Sequence, residues 1–121
     1  MQTLSFCRIL IIDKNIVEVI LNEGIEINPT MVDEFFTYIA DKMNGVISIL
    51  LNKATKYSYN FEALMQLSVS TKIRHMGVVV YDSIAVSSVN FLNERYNESQ
   101  KNVKIFKTRE DALAWLQEIN A

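Results

Sequence analysis

This sequence predicts an α/β fold with a mixed, mainly parallel sheet, and three observations predict it. Two apolar runs of strand length, Val46–Leu51 with one serine in it and Gly77–Tyr81, are each followed by a segment with helical spacing; such runs suit strands covered on both faces. The chain closes on "VKIFKTREDALAWLQEIN" (103–120), a short strand, a capped turn and an amphipathic helix. Two β-branched runs open it, Arg8–Ile12 and Ile16–Leu21, separated only by Asp13-Lys14-Asn15, the spacing of a hairpin. Half of the 121 residues are hydrophobic and 21% are charged, enough apolar side chain for one core. The expected organisation is a single domain spanning 1–121.

The elements follow in the order ββαβαβαβα. After the hairpin, Asn28-Pro29 starts a helix, with asparagine as cap and proline at the first helical position. Val32, Phe35, Phe36, Ile39 and Met43 mark its apolar stripe, and Asn44-Gly45 ends it. The strand Val46–Leu51 runs into a polar, aromatic loop, 52–60. Asn60 caps a second helix carrying Phe61, Leu64, Met65 and Leu67. The strand Gly77–Tyr81 leads into a third helix from Ser83, with Ala85, Val89, Leu92 and Tyr96 on its apolar side. In the last unit, Thr108 caps the fourth helix and Asp111 stands where a capping box usually has Glu or Gln. Glu110 and Asp111 complement the positive helix start. Ala112, Trp115, Leu116 and Ile119 form one stripe, which places Trp115 as a core anchor. The three βα repeats imply parallel strands joined by right-handed crossovers.

Composition narrows the function. The net charge is −2, which gives no general attraction to nucleic acid or anionic membrane. The distribution is uneven: residues 1–50 carry three basic and seven acidic groups, whereas Lys53, Lys56, Lys72 and Arg74 face only Glu62 within 51–76. One cysteine, Cys7, excludes a disulfide framework or thiolate metal cluster within the chain. Four apolar residues between Arg8 and Asp13 do not make a signal peptide, and no stretch reaches transmembrane length, so a cytoplasmic location is expected. Gly24, Gly45 and Gly77 are too scattered for a dinucleotide fingerprint or a Walker loop, and there is no G-x-S-x-G elbow. The one histidine, His75, has no nucleophile or second histidine near it in sequence. No catalytic residue, metal site or cofactor is therefore expected, and no enzyme activity.

One location gathers candidate binding residues. In open α/β sheets ligands bind beyond the carboxyl ends of the parallel strands. Those ends lead into "NKATKYSYN" (52–60), "DSIAVSS" (82–88) and "KTRED" (107–111), which bring Lys53, Lys56, Tyr57, Tyr59, Asp82, Ser83 and Thr108 toward helix starts. Free N–H groups there favour anionic groups. Ordinary capping by Asn60, Asp82 or Ser83, and Thr108 accounts for several of the same residue types.

The segments "VISILLN" (46–52), "IRHMGVVVYDS" (73–83) and "IFKTREDALAWL" (105–116) resemble the STAS superfamily, the sulphate transporter and anti-sigma factor antagonist domains. The likeness is to the bacterial SpoIIAA-like branch, related in fold to the lipid-transfer CRAL-TRIO domains. Arg74 before the penultimate strand and Phe106 at the end of the last one match that branch. The resemblance implies a non-enzymatic binding or regulatory module working through a protein partner, with a homodimer as one form. It also implies an alternative, a carrier or sensor of a small apolar or anionic ligand. It departs in one place: anti-anti-sigma factors carry an Asp-Ser-Ser-Gly-type phosphorylation motif after the strand matching 46–51, where this chain reads "NKATKYSYNFEAL". Asp82-Ser83 follows the next strand instead, so no phosphoserine is carried over.

Overall fold

The computed structural model describes residues 2–81 and 102–119. The elements are β1 (Gln2–Thr3), β2 (Cys7–Asp13), β3 (Ile16–Leu21), β4 (Glu26–Ile27), α1 (Pro29–Lys42), β5 (Ile47–Asn52), β6 (Ser58–Tyr59), α2 (Phe61–Val69), β7 (Ile73–Val79), β8 (Asn102–Phe106) and α3 (Arg109–Ile119). The third helix expected from Ser83, with its stripe Ala85, Val89, Leu92 and Tyr96, lies outside the described residues.

Six strands form the main sheet in the order β1-β2-β3-β5-β7-β8. β1, β2 and β3 pair antiparallel, and β3, β5, β7 and β8 run parallel. The predicted hairpin forms with a shorter turn, Lys14-Asn15, because a bulge between Ile11 and Asp13 takes up the extra residue. β7 begins at Ile73, four residues before the predicted Gly77, and a register shift opposite Ile47–Ser48 leaves Arg74 exposed at a second irregularity.

Register decides which side chains share a face, because successive residues of a strand alternate. Val17, Val19, Leu21, Ile49, Leu51, Met76 and Val78 form the larger core with Val32, Phe35 and Ile39 of α1 and Ala63 and Leu64 of α2. Ile16, Leu50 and Val79 form a smaller core on the opposite face with Ala112 and Leu116 of α3. β5 is buried at all six positions, and its four apolar residues, Ile47, Ile49, Leu50 and Leu51, fill both faces around the buried polar Ser48 and Asn52, as this two-sided cover requires.

α1 starts as predicted: the Asn28 side chain accepts from the Met31 N–H at 3.0 Å and Pro29 is the first helical residue. It ends at Lys42, with Gly45 in the left-handed region at φ 74°. α2 is capped by Asn60, which accepts from Glu62 N–H at 2.8 Å. Phe61 does not join its buried stripe; the ring is 68% exposed, and Ala63, Leu64 and Ser68 are the buried positions. α3 is capped by Thr108, whose hydroxyl accepts from Asp111 N–H at 3.2 Å.

One detail of α3 corrects the sequence reading. Trp115 is half-buried rather than a core anchor, because Ala112 and Leu116 take the centre of the interface and position 115 falls at its flank. Its ring covers the edges of His75 and Phe106, at centroid distances of 6.0 and 5.6 Å. The helix can approach this closely because β7 has a glycine beneath it: a Cβ on Gly77 would lie 3.5 Å from Leu116 Cδ1 and 3.6 Å from Ala112 Cβ.

Leu116→Ala is therefore expected to cost about 2–5 kcal/mol in urea unfolding, with Trp115→Ala costing less. Gly77→Ala fits at ordinary contact distance and is tolerated, whereas Gly77→Leu displaces α3 and destabilises by more than 1 kcal/mol, a typical cost of overpacking being about 1–3 kcal/mol. If Trp115→Ala proves the more costly of the two truncations, the assignment of the interface centre is wrong.

Candidate functional site

The 52–60 segment, expected as a free loop, is fastened down. β6 within it pairs in parallel with β4, Glu26 opposite Ser58 and Ile27 opposite Tyr59. Gly24 N–H donates to Lys56 O, Ser58 N–H to Ile25 O and Asn60 N–H to Ile27 O at 2.6, 3.0 and 2.7 Å. Thr55 Oγ1 donates to Leu21 O at 2.6 Å, and the Lys56 N–H donates to the Glu23 carboxylate. Two-residue strands show no alternation, so the pattern gave no sign of this strap.

Within it, Lys53, Tyr57 and Tyr59 come together. The Lys53 ammonium lies 3.8 Å from the Tyr57 ring centroid, a cation–π contact. The two tyrosine rings meet edge to face at 5.7 Å. Burial pushes the Tyr59 hydroxyl up to about 12, and burial and then Tyr59 hold Tyr57 well above its ordinary value. Both stay neutral and act through ring contact. Lys56 is exposed. Thr108 serves as the α3 cap and is not part of this cluster. Asp82 and Ser83 lie outside the described residues.

A second polar group, which the sequence reading did not single out, sits at the carboxyl ends of the parallel strands. Glu18 in β3 is 4% exposed, on the face covered by α3. Arg109, the first residue of α3, donates to Glu18 Oε1 from both Nε and Nη2 at 2.9 Å. Asn52, the last residue of β5, donates from Nδ2 to Glu18 Oε2 at 3.1 Å, and the Tyr81 hydroxyl donates to Asn52 Oδ1 at 3.0 Å. Four segments thus converge on one buried carboxylate. Both of its oxygens accept hydrogen bonds and a guanidinium neutralises it. This suits a structural clasp better than a proton acceptor. The available signal was Glu18 itself, a lone acid within "IVEVIL", since a charge in a buried strand requires a partner.

Two apolar features complete the surface. A cavity of about 50 Å³ lies between the sheet and α1 and α2, lined by Phe35, Ile49, Leu51, Tyr59 and Met76 among others. Pockets that hold drug-sized molecules measure roughly 300–1,000 Å³, so this one is far too small to enclose a lipid. On the outside, α2 exposes Phe61 at 68% and Val69 at 67%. At roughly 100° per residue, positions 61, 65 and 69 fall within about 80° of one another. Gln66 bonds Asp33 of α1 at 2.7 Å, so the side bearing Phe61 and Met65 is turned away from α1. Cys7 is buried and its thiol is pushed up to about 12, by burial and then by Glu34, which leaves it unreactive. Among the described residues no cluster of His, Cys, Asp and Glu could hold a metal ion, and no helix is long and apolar enough to cross a membrane.

Removing Arg109 leaves Glu18 buried beside one amide. Because the Arg109 side chain is 37% exposed and water can partly replace it, Arg109→Ala is expected to cost about 1–3 kcal/mol, while a double change to apolar residues, Glu18→Met with Arg109→Met, recovers most of that loss in the same unfolding measurement. An Arg109→Ala cost within 0.5 kcal/mol of zero, the range of an ordinary surface change, would mean the pair is not held as described. His75 is a separate probe. Burial, and then the Arg74 charge, hold its imidazole below its ordinary 6.5. A histidine depressed on folding does not affect stability above its unfolded value and lowers it as pH falls toward the folded value. An NMR titration midpoint for His75 below 6.5 is expected; a midpoint above that would reverse the sign.

No protein-family model matches the chain, and no curated protein matches it. Among solved structures, it superposes on the crystal structure of an uncharacterised protein of the DUF3478 family with a SpoIIAA-like fold, from Shewanella loihica PV-4. That match has a TM-score of 0.59 and 12% identity, and covers 96% of this chain and 98% of the other. At that identity the likeness is one of fold: the chain has a SpoIIAA-like α/β fold.

Proposed function

We propose that this SpoIIAA-like domain is a non-enzymatic recognition module that acts through protein contacts. The observation that carries the reading is α2, which leaves Phe61 and Val69 two-thirds exposed on one side while its other side is packed in the core. The two stand at opposite ends of the helix with the half-buried Met65 between them, and apolar side chains exposed on one side of an element offer contact surface to a partner. The strap beside it presents Lys53, Tyr57 and Tyr59 in fixed positions, and tyrosine offers contact area at a low entropic cost. A protein partner, or a second copy of the chain, would dock on this side. The lone buried thiol of Cys7 suits a reducing compartment, so we place the module in the cytoplasm. The carrier alternative draws no support from the 50 Å³ core cavity.

The test pairs wild type with a Phe61→Ser, Val69→Ser double variant. Both positions are exposed, so unfolding stability is expected to change by less than about 1 kcal/mol. Sedimentation velocity reads self-association. Quantitative capture from cell extract, followed by reconstitution with the purified partner, reads a foreign contact, and a loss of binding of at least about tenfold in the variant is expected. Equal binding by wild type and variant would remove α2 from the interface.

A further inference from the structure

The turn between α1 and β5 is fastened on both sides and open in the middle. On one side the buried Met43 donates its N–H to Ile39 O at 2.8 Å. On the other, Ile47 N–H donates to Lys72 O at 2.9 Å and Ser48 N–H to Asn15 O at 2.8 Å. Between these anchors Asn44, Gly45 and Val46 are exposed and belong to no helix or strand. Among the described residues, neither the Asn44 side chain nor the Gly45 N–H has a hydrogen-bond partner. Gly45 lies in the left-handed region at φ 74°, and a Cβ there would meet nothing within 4 Å.

Asn44 is the only asparagine of the chain that precedes a glycine. An asparagine side chain is open to attack by the backbone nitrogen of the next residue, and glycine, having no Cβ, shields that nitrogen least. The other described asparagines are protected. Asn28 is followed by proline, which has no N–H, and its side chain accepts from Met31 N–H. The Asn60 side chain accepts from Glu62 N–H. Asn52 donates to Glu18 and accepts from Tyr81, and Asn22 donates to Ser5 O. Asn15 and Asn102 precede Ile16 and Val103, whose branched side chains crowd the nitrogen. None of these protections applies at Asn44.

We infer that Asn44-Gly45 is a self-modification site, at which the folded protein exchanges the Asn44 side-chain amide for a carboxylate. The Gly45 nitrogen gives up its proton and bonds to Asn44 Cγ, and the side-chain amide leaves with that proton as ammonia. Water then opens the succinimide ring. Opening at the side-chain carbonyl gives aspartate; opening at the main-chain carbonyl gives isoaspartate, whose backbone runs through Cγ. The sum is asparagine and water to aspartate or isoaspartate and ammonia, with nothing oxidised or reduced. The turn accommodates the extra backbone atom of isoaspartate because the bonds that fasten it lie outside 44–46. Either product puts a carboxylate at the negative end of α1, where cations are favoured, so the modified protein is the less stable form. The inference goes beyond the docking role of α2 and stands or falls separately from it.

The experiment incubates freshly purified protein, an Asn44→Gln variant and a synthetic peptide of residues 40–48 in warm, mildly alkaline buffer. Tryptic mass spectrometry follows the Met43–Lys53 fragment, and labelling by an isoaspartyl methyltransferase counts isoaspartate. The fragment from folded wild type is expected to gain about one dalton, with isoaspartate the larger product. Its rate is expected to be at least about one-tenth of the peptide's, a barrier difference of no more than about 1.4 kcal/mol. The Asn44→Gln variant, with folding checked by its unfolding curve, is expected to show neither the mass gain nor the label, because glutamine has to close a larger and slower ring. The urea midpoint of aged wild type is expected to fall, and that of the variant to hold. Asn44 left intact while the peptide converts, no conversion in either, earlier conversion at another asparagine, label retained in Asn44→Gln, or an unchanged midpoint in converted protein would each overturn the inference, whatever the Phe61→Ser, Val69→Ser result.

Discussion

The arrangement of this fold depends on one ion pair, between a buried carboxylate and a half-exposed guanidinium. Glu18 belongs to the opening hairpin and Arg109 to the closing helix, 91 residues apart, yet two guanidinium nitrogens reach the same carboxylate oxygen. Taking a carboxylate out of water costs several kcal/mol, and well-packed apolar residues at both positions are often at least as stable. What the pair supplies that apolar residues do not is direction. An apolar α3 could slide on the flat ground of Leu50, Gly77 and Val79. An arginine at its first position, required at one oxygen, fixes where the helix begins. Asn52 and Tyr81 extend the requirement to the ends of two more parallel strands.

The opposite face is organised differently. There the two helices are set by packing and by the short β4–β6 ladder, with side-chain polarity at the rim, as in the bond from Gln66 to Asp33, and at the buried Ser68, whose hydroxyl donates to Met65 O within α2. One face of the sheet is thus held by a specific charge and the other by backbone pairing. The larger core fills with branched aliphatics and phenylalanines and leaves a small cavity lined in part by Tyr59.

Much of this fold could be read from the sequence, for physical reasons that differ by element. The caps at Asn28, Asn60 and Thr108 were legible because capping is a local interaction spanning two or three residues. β5 and the later part of β7 were legible because a strand buried on both faces has to be apolar throughout. The strap was not, since its two-residue strands have no period and their bonds run to segments about thirty residues away. The exposure of Phe61 was not legible, because apolarity alone does not say which side of a nine-residue helix is covered. Of the candidate site residues, Lys53, Tyr57 and Tyr59 do gather. Thr108 is explained by its cap. The Glu18 cluster escaped notice because its members are spread over four segments and only the register of the sheet brings them together.

The strap has a mechanical consequence. Each of its strands runs directly into a helix through a single asparagine: Ile27 into Asn28 and α1, Tyr59 into Asn60 and α2. Because Ile27 and Tyr59 are partners in a parallel ladder, the two helices set out level with each other and in the same direction. They behave as one plate clamped along its upper edge. Tilting α1 alone would break the ladder, so displacement of the pair is concerted.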